Sequence, residues 1–190
     1  MMWKRIFGRP ALEQEAYAIY AALVSQARKP ALYTDAGVPD TLEGRFEMVA
    51  LHAFLVLRRL RKVESADEAV AKDLGQKLFD LLFDDMDQTL REIGISDLKV
   101  GKKIKEMASA FYGRIGAYDE AIDSSDEALL AAALQRNVYA QSEPAPDAVA
   151  LLAAYVRRAE KALADAPVAD LFKGEVALAA MPASTEGQPA

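Results

Sequence analysis

The sequence has no cysteine, a single histidine and no apolar run long enough to span a membrane. Without cysteine, the chain cannot form disulfides, thiol nucleophiles or cysteine-ligated metal sites. With His52 alone, it cannot form a two-histidine metal motif such as H-E-x-x-H. Its longest apolar runs, such as MVALHAFLVL, fall short of the roughly 20 residues that a transmembrane helix requires. The start of the chain, MMWKRIFGRP, has no apolar stretch of signal-peptide length either, so we expect a cytoplasmic protein.

Basic residues are scarce in the last part of the chain. Up to residue 118 the sequence has 18 basic and 17 acidic side chains, whereas the remaining residues have 5 and 12. The net charge of the whole chain is −6, and nucleic-acid-binding domains are usually basic, so we expect no DNA partner. Hydrophobic residues make up 52%, which is typical of a globular protein rather than a disordered one.

Helical periodicity runs through nearly the whole sequence, and no alternating strand of useful length is present. The pattern predicts an all-α, single-domain bundle of about six helices joined by short loops. The helices are expected near residues 10–28, 40–62, 65–93, 97–122, 124–141 and 147–165. The later stretch ADLFKGEVALAA is compatible with a short helix or with a strand.

Capping residues mark where several helices begin and end. Asp40 or Thr41 can cap the second helix, because both side chains accept backbone hydrogen bonds. Ser65 and Ser124 each begin a Ser-x-x-Glu capping box, which predicts the starts of the third and fifth helices. Gly94 fits the position just after the third helix, where a left-handed backbone is common.

The chain divides into three segments. Residues 11–175 are expected to form the helical domain, and residues 176–190 are expected to form a flexible tail. Residues 1–10 combine Trp, Ile and Phe with Lys and Arg. That combination is typical of an interfacial membrane anchor, although a frayed terminus remains an equal alternative.

A line of basic side chains follows the second helix. Arg45, His52 and Arg59 recur at intervals of seven residues, which places them along one flank of that helix. On the third helix, Asp85 falls inside an apolar stripe, whereas Asp84 points away from it. Because an unpaired buried carboxylate is costly, we expect Asp85 to be at least half buried and paired with one of the three basic residues. A line of basic residues paired with an acid in this way can serve either the fold or a functional site.

The fourth helix carries lysines on its outer side and the string FYGR near its middle. Lys102 is expected in water, opposite the apolar stripe, and Lys103 is expected on its flank. These lysines form either a solvated face or a docking patch for a ribosome, anionic lipid or an acidic protein. Tyr112 is expected at the edge of the apolar stripe, where a partner can meet its ring. Gly113 lies opposite the stripe, and close approach of another backbone would explain this helix-weakening residue. Arg114 can pair with an acid from a partner or from a neighbouring helix.

The string DDMD, which begins at Asp84, resembles part of a magnesium site. Prenyl-transfer enzymes hold magnesium and diphosphate with Asp-Asp-x-x-Asp, but the fifth position here is Gln88. A lone acidic cluster is weak support for Mg²⁺, and no nucleophile–base pair stands out. A magnesium-dependent enzyme acting on prenyl diphosphates therefore remains an alternative.

Two long strings resemble the ubiquinol–cytochrome c chaperone family. They are LEGRFEMVALHAFLVLRRL, from Leu42, and LFDDMDQTLREIGISDLKVGKKIKEMASAFYGRIGAYDEA, from Leu82. The resemblance is strong from Leu42 to Ala121 and looser from Ala11 to Thr41 and after Ser124. The residues that match the family's characteristic strings are Arg45, His52, Arg59, Asp84, Asp85, Lys103, Phe111, Tyr112, Gly113, Arg114 and Tyr118.

The resemblance implies a non-enzymatic assembly chaperone that needs no cofactor. It implies that the protein binds newly made cytochrome b and helps it enter the ubiquinol–cytochrome c reductase complex. Mitochondrial members work with a small partner protein near the ribosomal exit tunnel, so a contact with a ribosome or a small protein is a further expectation. The sequence shows no mitochondrial targeting segment, which suits a bacterial protein, with peripheral contact to the inner face of the inner membrane as an open alternative. An alternative to the chaperone function is that the protein is a structural subunit of a membrane complex.

Overall fold

The structure is a computed structural model that describes residues 12–124, 126–140 and 142–182. Eight helices and one 3-10 turn, Ser65–Asp67, lie in these ranges, which contain no strand. In chain order the helices are α1 (Glu13–Ala27), α2 (Pro30–Thr34), α3 (Leu42–Arg61), α4 (Glu68–Glu92), α5 (Asp97–Asp123), α6 (Glu127–Asn137), α7 (Pro146–Asp165) and α8 (Val168–Leu171). The prediction of an all-α, single-domain bundle is confirmed, and the short helices α2 and α8 add to the six predicted.

Helix α3 lies at the centre of the bundle because it is apolar on most of its circumference. Thirteen of its 20 residues are buried, and it contacts α1, α4, α5 and α7. A helix of this kind is stable when other helices cover it on all sides. Neither α3 nor any other helix in the described ranges is apolar over the length needed to cross a membrane.

The start of α3 and the end of α4 follow the local sequence signals. The Thr41 hydroxyl accepts the Gly44 N–H at 3.1 Å, which confirms one of the two caps considered for α3. After α4, Gly94 has a φ of 87°, and the N–H groups of Gly94 and Ile95 donate to carbonyls in the last turn of the helix. This is a Schellman motif, which requires a left-handed residue and therefore favours glycine.

The cap predicted for the start of α6 is wrong. Asp126, not Ser124, caps this helix, and its carboxylate accepts the Ala128 N–H at 2.8 Å. The reason is that α5 continues to Asp123, so Ser124 serves the end of α5 and donates to the Ala121 carbonyl at 3.0 Å. Helix α6 is also shorter than predicted, because it ends at Asn137.

The stretch ADLFKGEVALAA contains the short helix α8 and then extended chain, so the helical alternative is the correct one. Val176, Leu178 and Met181 pack against the core, and the Gln26 amide donates to the Ala179 carbonyl at 2.8 Å. These positions fall in the segment expected to be a flexible tail. The proposed anchor at residues 1–10 and the end of that tail, residues 183–190, lie outside the described residues. The division into three segments therefore stays a prediction.

Candidate functional site

The outer two basic residues of the predicted line on α3 have partners other than α4. Arg45 is exposed, and its Nε lies 2.5 Å from the Asp40 carboxylate. Arg59 donates to the Leu163 carbonyl at 2.9 Å and to the Ala166 carbonyl at 3.3 Å. Because these carbonyls lie at the end of α7, Arg59 stabilises the C-terminus of that helix. The residues of the basic line therefore do not share one partner: Arg45 bonds the loop before α3, and Arg59 bonds helix α7.

His52 is buried between α3 and α7 with both ring nitrogens hydrogen bonded. Nδ1 lies 2.6 Å from the Met48 carbonyl, and Nε2 lies 2.6 Å from the Tyr155 hydroxyl. The carbonyl can only accept, so we place the proton on Nδ1, and Nε2 accepts from Tyr155. Gln26 donates to the same Tyr155 oxygen at 3.0 Å. Burial lowers the pKa of His52 to about 4, so the ring is neutral at pH 7 and supports the core.

Asp85 is exposed on α4, and it accepts a hydrogen bond from the Tyr20 hydroxyl at 2.7 Å. Burial of Tyr20, together with this bond, raises the pKa of the phenol well above its usual range. Asp85 and Arg45 line one cleft of about 220 Å³, but Arg45 is paired with Asp40. The expected ion pair of a buried Asp85 is therefore wrong, because α1 supplies the partner that we expected from α3. Asp84 is exposed.

The acids of the DDMD string do not converge with other metal ligands. Asp87 forms an ion pair with Arg91, one turn along α4, at 2.5 Å, and Asp85 is bonded to Tyr20. Across the three described ranges, no group of three or more His, Asp or Glu side chains is arranged to hold a metal ion. The magnesium alternative therefore finds no ligand set in this part of the chain.

A polar seam that our sequence analysis missed joins α3 to α5. The Arg58 side chain is 4% exposed and bonds Asp119 and Asp123, both at 2.6 Å, while Glu160 of α7 lies 3.7 Å away. The bonds from Arg58 lower the pKa of Asp123 to about 2. One planar guanidinium thus links three helices. The signal in the sequence was a pair of aspartates four residues apart, matched by a basic cluster at the end of α3.

Arg114 pairs with an acid of its own chain, Glu47 of α3, which is one of the two kinds of partner that we considered. The two side chains form an ion pair and are 18% and 9% exposed. Burial raises the pKa of Glu47 to about 6, although Arg114 opposes the shift. Among the described residues, one carboxylate oxygen of Glu47 and Nε of Arg114 have no hydrogen-bond partner. Arg114 therefore has a structural role, because its ion pair with Glu47 links α5 to α3.

The outer surface of α5 is open to solvent. Lys102 and Lys103 are exposed. Tyr112 is 61% exposed, and its ring centroid lies 5.7 Å from that of Phe79 on α4. Apart from the neighbouring backbone of α5 itself, a Cβ built on Gly113 would meet no atom of the described chain within 4 Å. The close backbone approach expected at Gly113 is therefore not made by the described residues.

An apolar groove of about 630 Å³ lies beside Tyr112, between α3, α4 and α5. Its apolar lining residues are Leu57, Leu60, Val63, Ala71, Phe79 and Ile115, and its charged lining residues are Arg61, Glu64, Glu68 and Lys72. Gly75 lines the groove as well, and a Cβ there would lie 3.6 Å from Leu57 and 3.8 Å from Leu60. A groove with apolar walls and charged edges is suited to one face of a helix.

The match to a known protein family covers this groove and the whole of α5. Residues 34–179 match the family described as ubiquinol–cytochrome c chaperone. The chain belongs to the ubiquinol–cytochrome c chaperone family. The resemblance carried by the LEGRF and DDMD strings is thereby confirmed, and the match extends beyond those strings to α8.

Curated relatives of this family member are named as assembly factors. The ubiquinol–cytochrome c reductase complex assembly factor 1 of Xenopus laevis is 29% identical over 143 residues, which are 75% of this chain and 69% of that protein. The proteins of the same name from Mus musculus and Homo sapiens are each 28% identical over 143 residues. This chain spans 47% and 46% of their lengths, so it is similar to less than half of each mammalian protein.

A solved structure shares the fold of this chaperone-family member. The crystal structure of the Cbp3 homolog from Brucella abortus has a TM-score of 0.80 to this structure and 38% sequence identity. The match covers 90% of this chain and 92% of that chain, so it extends over the arrangement of helices that forms the groove.

Proposed function

We propose that this protein is a non-enzymatic assembly chaperone that binds newly made cytochrome b and assists the assembly of ubiquinol–cytochrome c reductase. The family description and the names of the relatives support this proposal. The use of the polar residues supports binding rather than catalysis. His52 bonds Tyr155 and Arg114 bonds Glu47, so these groups are committed to holding helices together.

The apolar groove between α3, α4 and α5 carries the proposal. Cytochrome b is an integral membrane protein, so its apolar helices need cover until they are inserted. The groove, at about 630 Å³, is large enough for several side chains along one helix face. Charges at the edge, such as Arg61 and Lys72, oppose self-association of the apolar lining.

The outer surface of α5 supplies the second part of the proposed contact. Tyr112 lines the groove and is mostly exposed, so its amphipathic ring can pack on a client helix. Lys102 and Lys103 add an attraction to an acidic client segment or to a ribosome that weakens with salt. The proposed location is the cytoplasm, at the inner face of the inner membrane, where a newly made cytochrome b is within reach.

Filling the groove at Gly75 tests this function. Gly75→Leu puts a large side chain into the groove, whereas Gly75→Ala adds a methyl group at ordinary contact distance from Leu57. We expect Gly75→Leu to lower the capture of newly made cytochrome b from detergent-solubilised membranes by at least roughly tenfold. The alanine variant should capture it like the wild type. If circular dichroism shows that both variants are folded and they capture cytochrome b equally, the proposal is contradicted.

A further inference from the structure

The corner between α4 and α5 exposes two large apolar side chains. Ile93 is 53% exposed and Leu98 is 96% exposed. The Schellman motif at Gly94 fixes the direction of the chain between the two helices. Val100 is fully buried and fixes the first turn of α5. Leu98 lies two residues earlier, about 200° around the helix, so its exposure follows from the packing of Val100.

Lysines surround Leu98 on the outer surface of α5. The four exposed lysines are Lys99, Lys102, Lys103 and Lys105. Lys102 and Lys105 follow Leu98 by four and seven residues, so these three side chains share one face of the helix. Within the described residues, the ion pairs of these lysines are limited to Lys102 with Glu106, at 3.7 Å. Residues 91–106 carry five basic side chains and three acidic ones, Glu92, Asp97 and Glu106, so cations outnumber acids beside the protruding apolar side chains.

We propose that the α4–α5 corner docks this protein on the surface of an anionic lipid bilayer. Ile93 and Leu98 enter the interface, and Lys102 and Lys105 face the lipid phosphates. The biological role of this docking rests on the proposed function, since a chaperone of a membrane protein works beside a membrane. Its physical basis, the exposure and charge of the corner, is independent of any client.

A bilayer fits this corner better than an acidic protein does. A side chain that is 96% exposed protrudes from the surface, and a fluid interface accepts it without a matching pocket. Asp119, Glu120 and Asp123 lie at the opposite end of α5 from Leu98, so an anionic surface repels that end and favours docking through the corner. Tyr112 shares the face of Leu98 about 21 Å further along α5, so docking brings the edge of the groove towards the bilayer.

Co-sedimentation with vesicles tests the docking. The probes are vesicles of phosphatidylcholine alone and of phosphatidylcholine mixed with phosphatidylglycerol. We expect the wild-type protein to bind the anionic vesicles selectively. Ile93→Ser/Leu98→Ser and Lys102→Glu/Lys105→Glu should each lower that binding by at least roughly tenfold. Leu129→Ser is the matched control and should bind like the wild type, because Leu129 is 43% exposed but lies on α6.

Several results would overturn the docking proposal. The first is that the wild type binds equally to both kinds of vesicle. The second is that Ile93→Ser/Leu98→Ser binds anionic vesicles as strongly as the wild type does. The third is that deletion of residues 2–9 abolishes binding completely. A loss confined to the glutamate variant would indicate a contact by charge alone, as with an acidic protein, and would also overturn it. Capture of cytochrome b in detergent reports separately on the proposed function. Ile93→Ser/Leu98→Ser should keep that capture, because neither residue belongs to the proposed client contact, and Gly75→Leu should keep vesicle binding.

Discussion

Glu47 of α3 and Arg114 of α5 form a partly buried ion pair that does not fully offset the cost of burying the Glu47 charge. Burial raises the pKa of Glu47 from its ordinary 4.5 to about 6, in spite of the neighbouring guanidinium. The folded protein therefore holds this proton more tightly than the unfolded chain does. The resulting stabilisation is complete below about pH 4.5 and is lost as the pH rises through about 6.

Glu47→Gln should remove this pH dependence. The free energy of unfolding of the wild type should fall relative to that of the variant by about 2 kcal/mol between pH 4.5 and pH 7, since each pKa unit is worth about 1.4 kcal/mol. Urea unfolding of both proteins across this range measures the difference. Other titrating groups, including His52, are common to both proteins and cancel in the comparison. The account would be contradicted if the free energy of unfolding of the wild type increased relative to that of the variant as the pH rises.

Arg58→Ala should destabilise the protein more than Arg61→Ala, although both arginines bond Asp119. The Arg58 side chain is 4% exposed and that of Arg61 is 44% exposed. Removal of the buried arginine should cost about 3 kcal/mol, because it breaks a seam between three helices. Removal of the exposed one should cost less than about 1 kcal/mol. Urea unfolding at neutral pH checks this order, and equal losses would show that burial does not decide the strength of this seam.

Features that depend on neighbouring residues in the chain were predictable from the sequence. The cap at Thr41 and the left-handed Gly94 depend on backbone geometry within a few residues, and both are present. The start of α6 shows the limit of such signals. Ser124 and Asp126 both have capping side chains, and the choice between them depends on where α5 ends.

Side-chain partners were much less predictable, because they depend on which helices become neighbours. Helix α3 is covered on most sides, so its sequence did not indicate that His52 faces α7 and that Arg58 faces α5. Asp85 was expected to need a cation, but a phenol from α1, Tyr20, supplies its hydrogen bond. The groove beside Tyr112 is built from three helices, so no single stretch of sequence could reveal it.

Gly113→Ala should stabilise the fold but weaken client binding. Alanine is favoured over glycine in an exposed helix by about 1 kcal/mol, and apart from the neighbouring backbone of α5 no atom of the described chain lies within 4 Å of the new methyl group. A client backbone packed on α5 at this point would clash with that methyl group. Gly101→Ala is the control, since its site is equally open and it should give a similar gain in thermal stability with normal capture. Normal capture by both variants would remove Gly113 from the binding surface.

Reversing the charge of Lys102 and Lys103 should leave the fold intact and weaken capture of the client severalfold at low salt. Both side chains are exposed, and attraction between exposed charges is screened by salt. The difference from the wild type should therefore shrink at high salt, and cells with the Lys102→Glu/Lys103→Glu variant should assemble less reductase. Lys29→Glu changes an exposed charge before α2 and serves as the control. Normal capture and assembly in the double variant would show that these lysines are only a solvated face.

The most direct test of the account is a cross-link from the groove to newly made cytochrome b in living cells. A photo-reactive residue in place of Tyr112 reports on the groove, and the same residue in place of Leu129 reports on an exposed apolar position of α6. After pulse labelling and illumination, we predict a cross-linked product that contains cytochrome b from position 112 and none from position 129. No such product from position 112, or equal amounts from both positions, would contradict the claim that this groove holds the client.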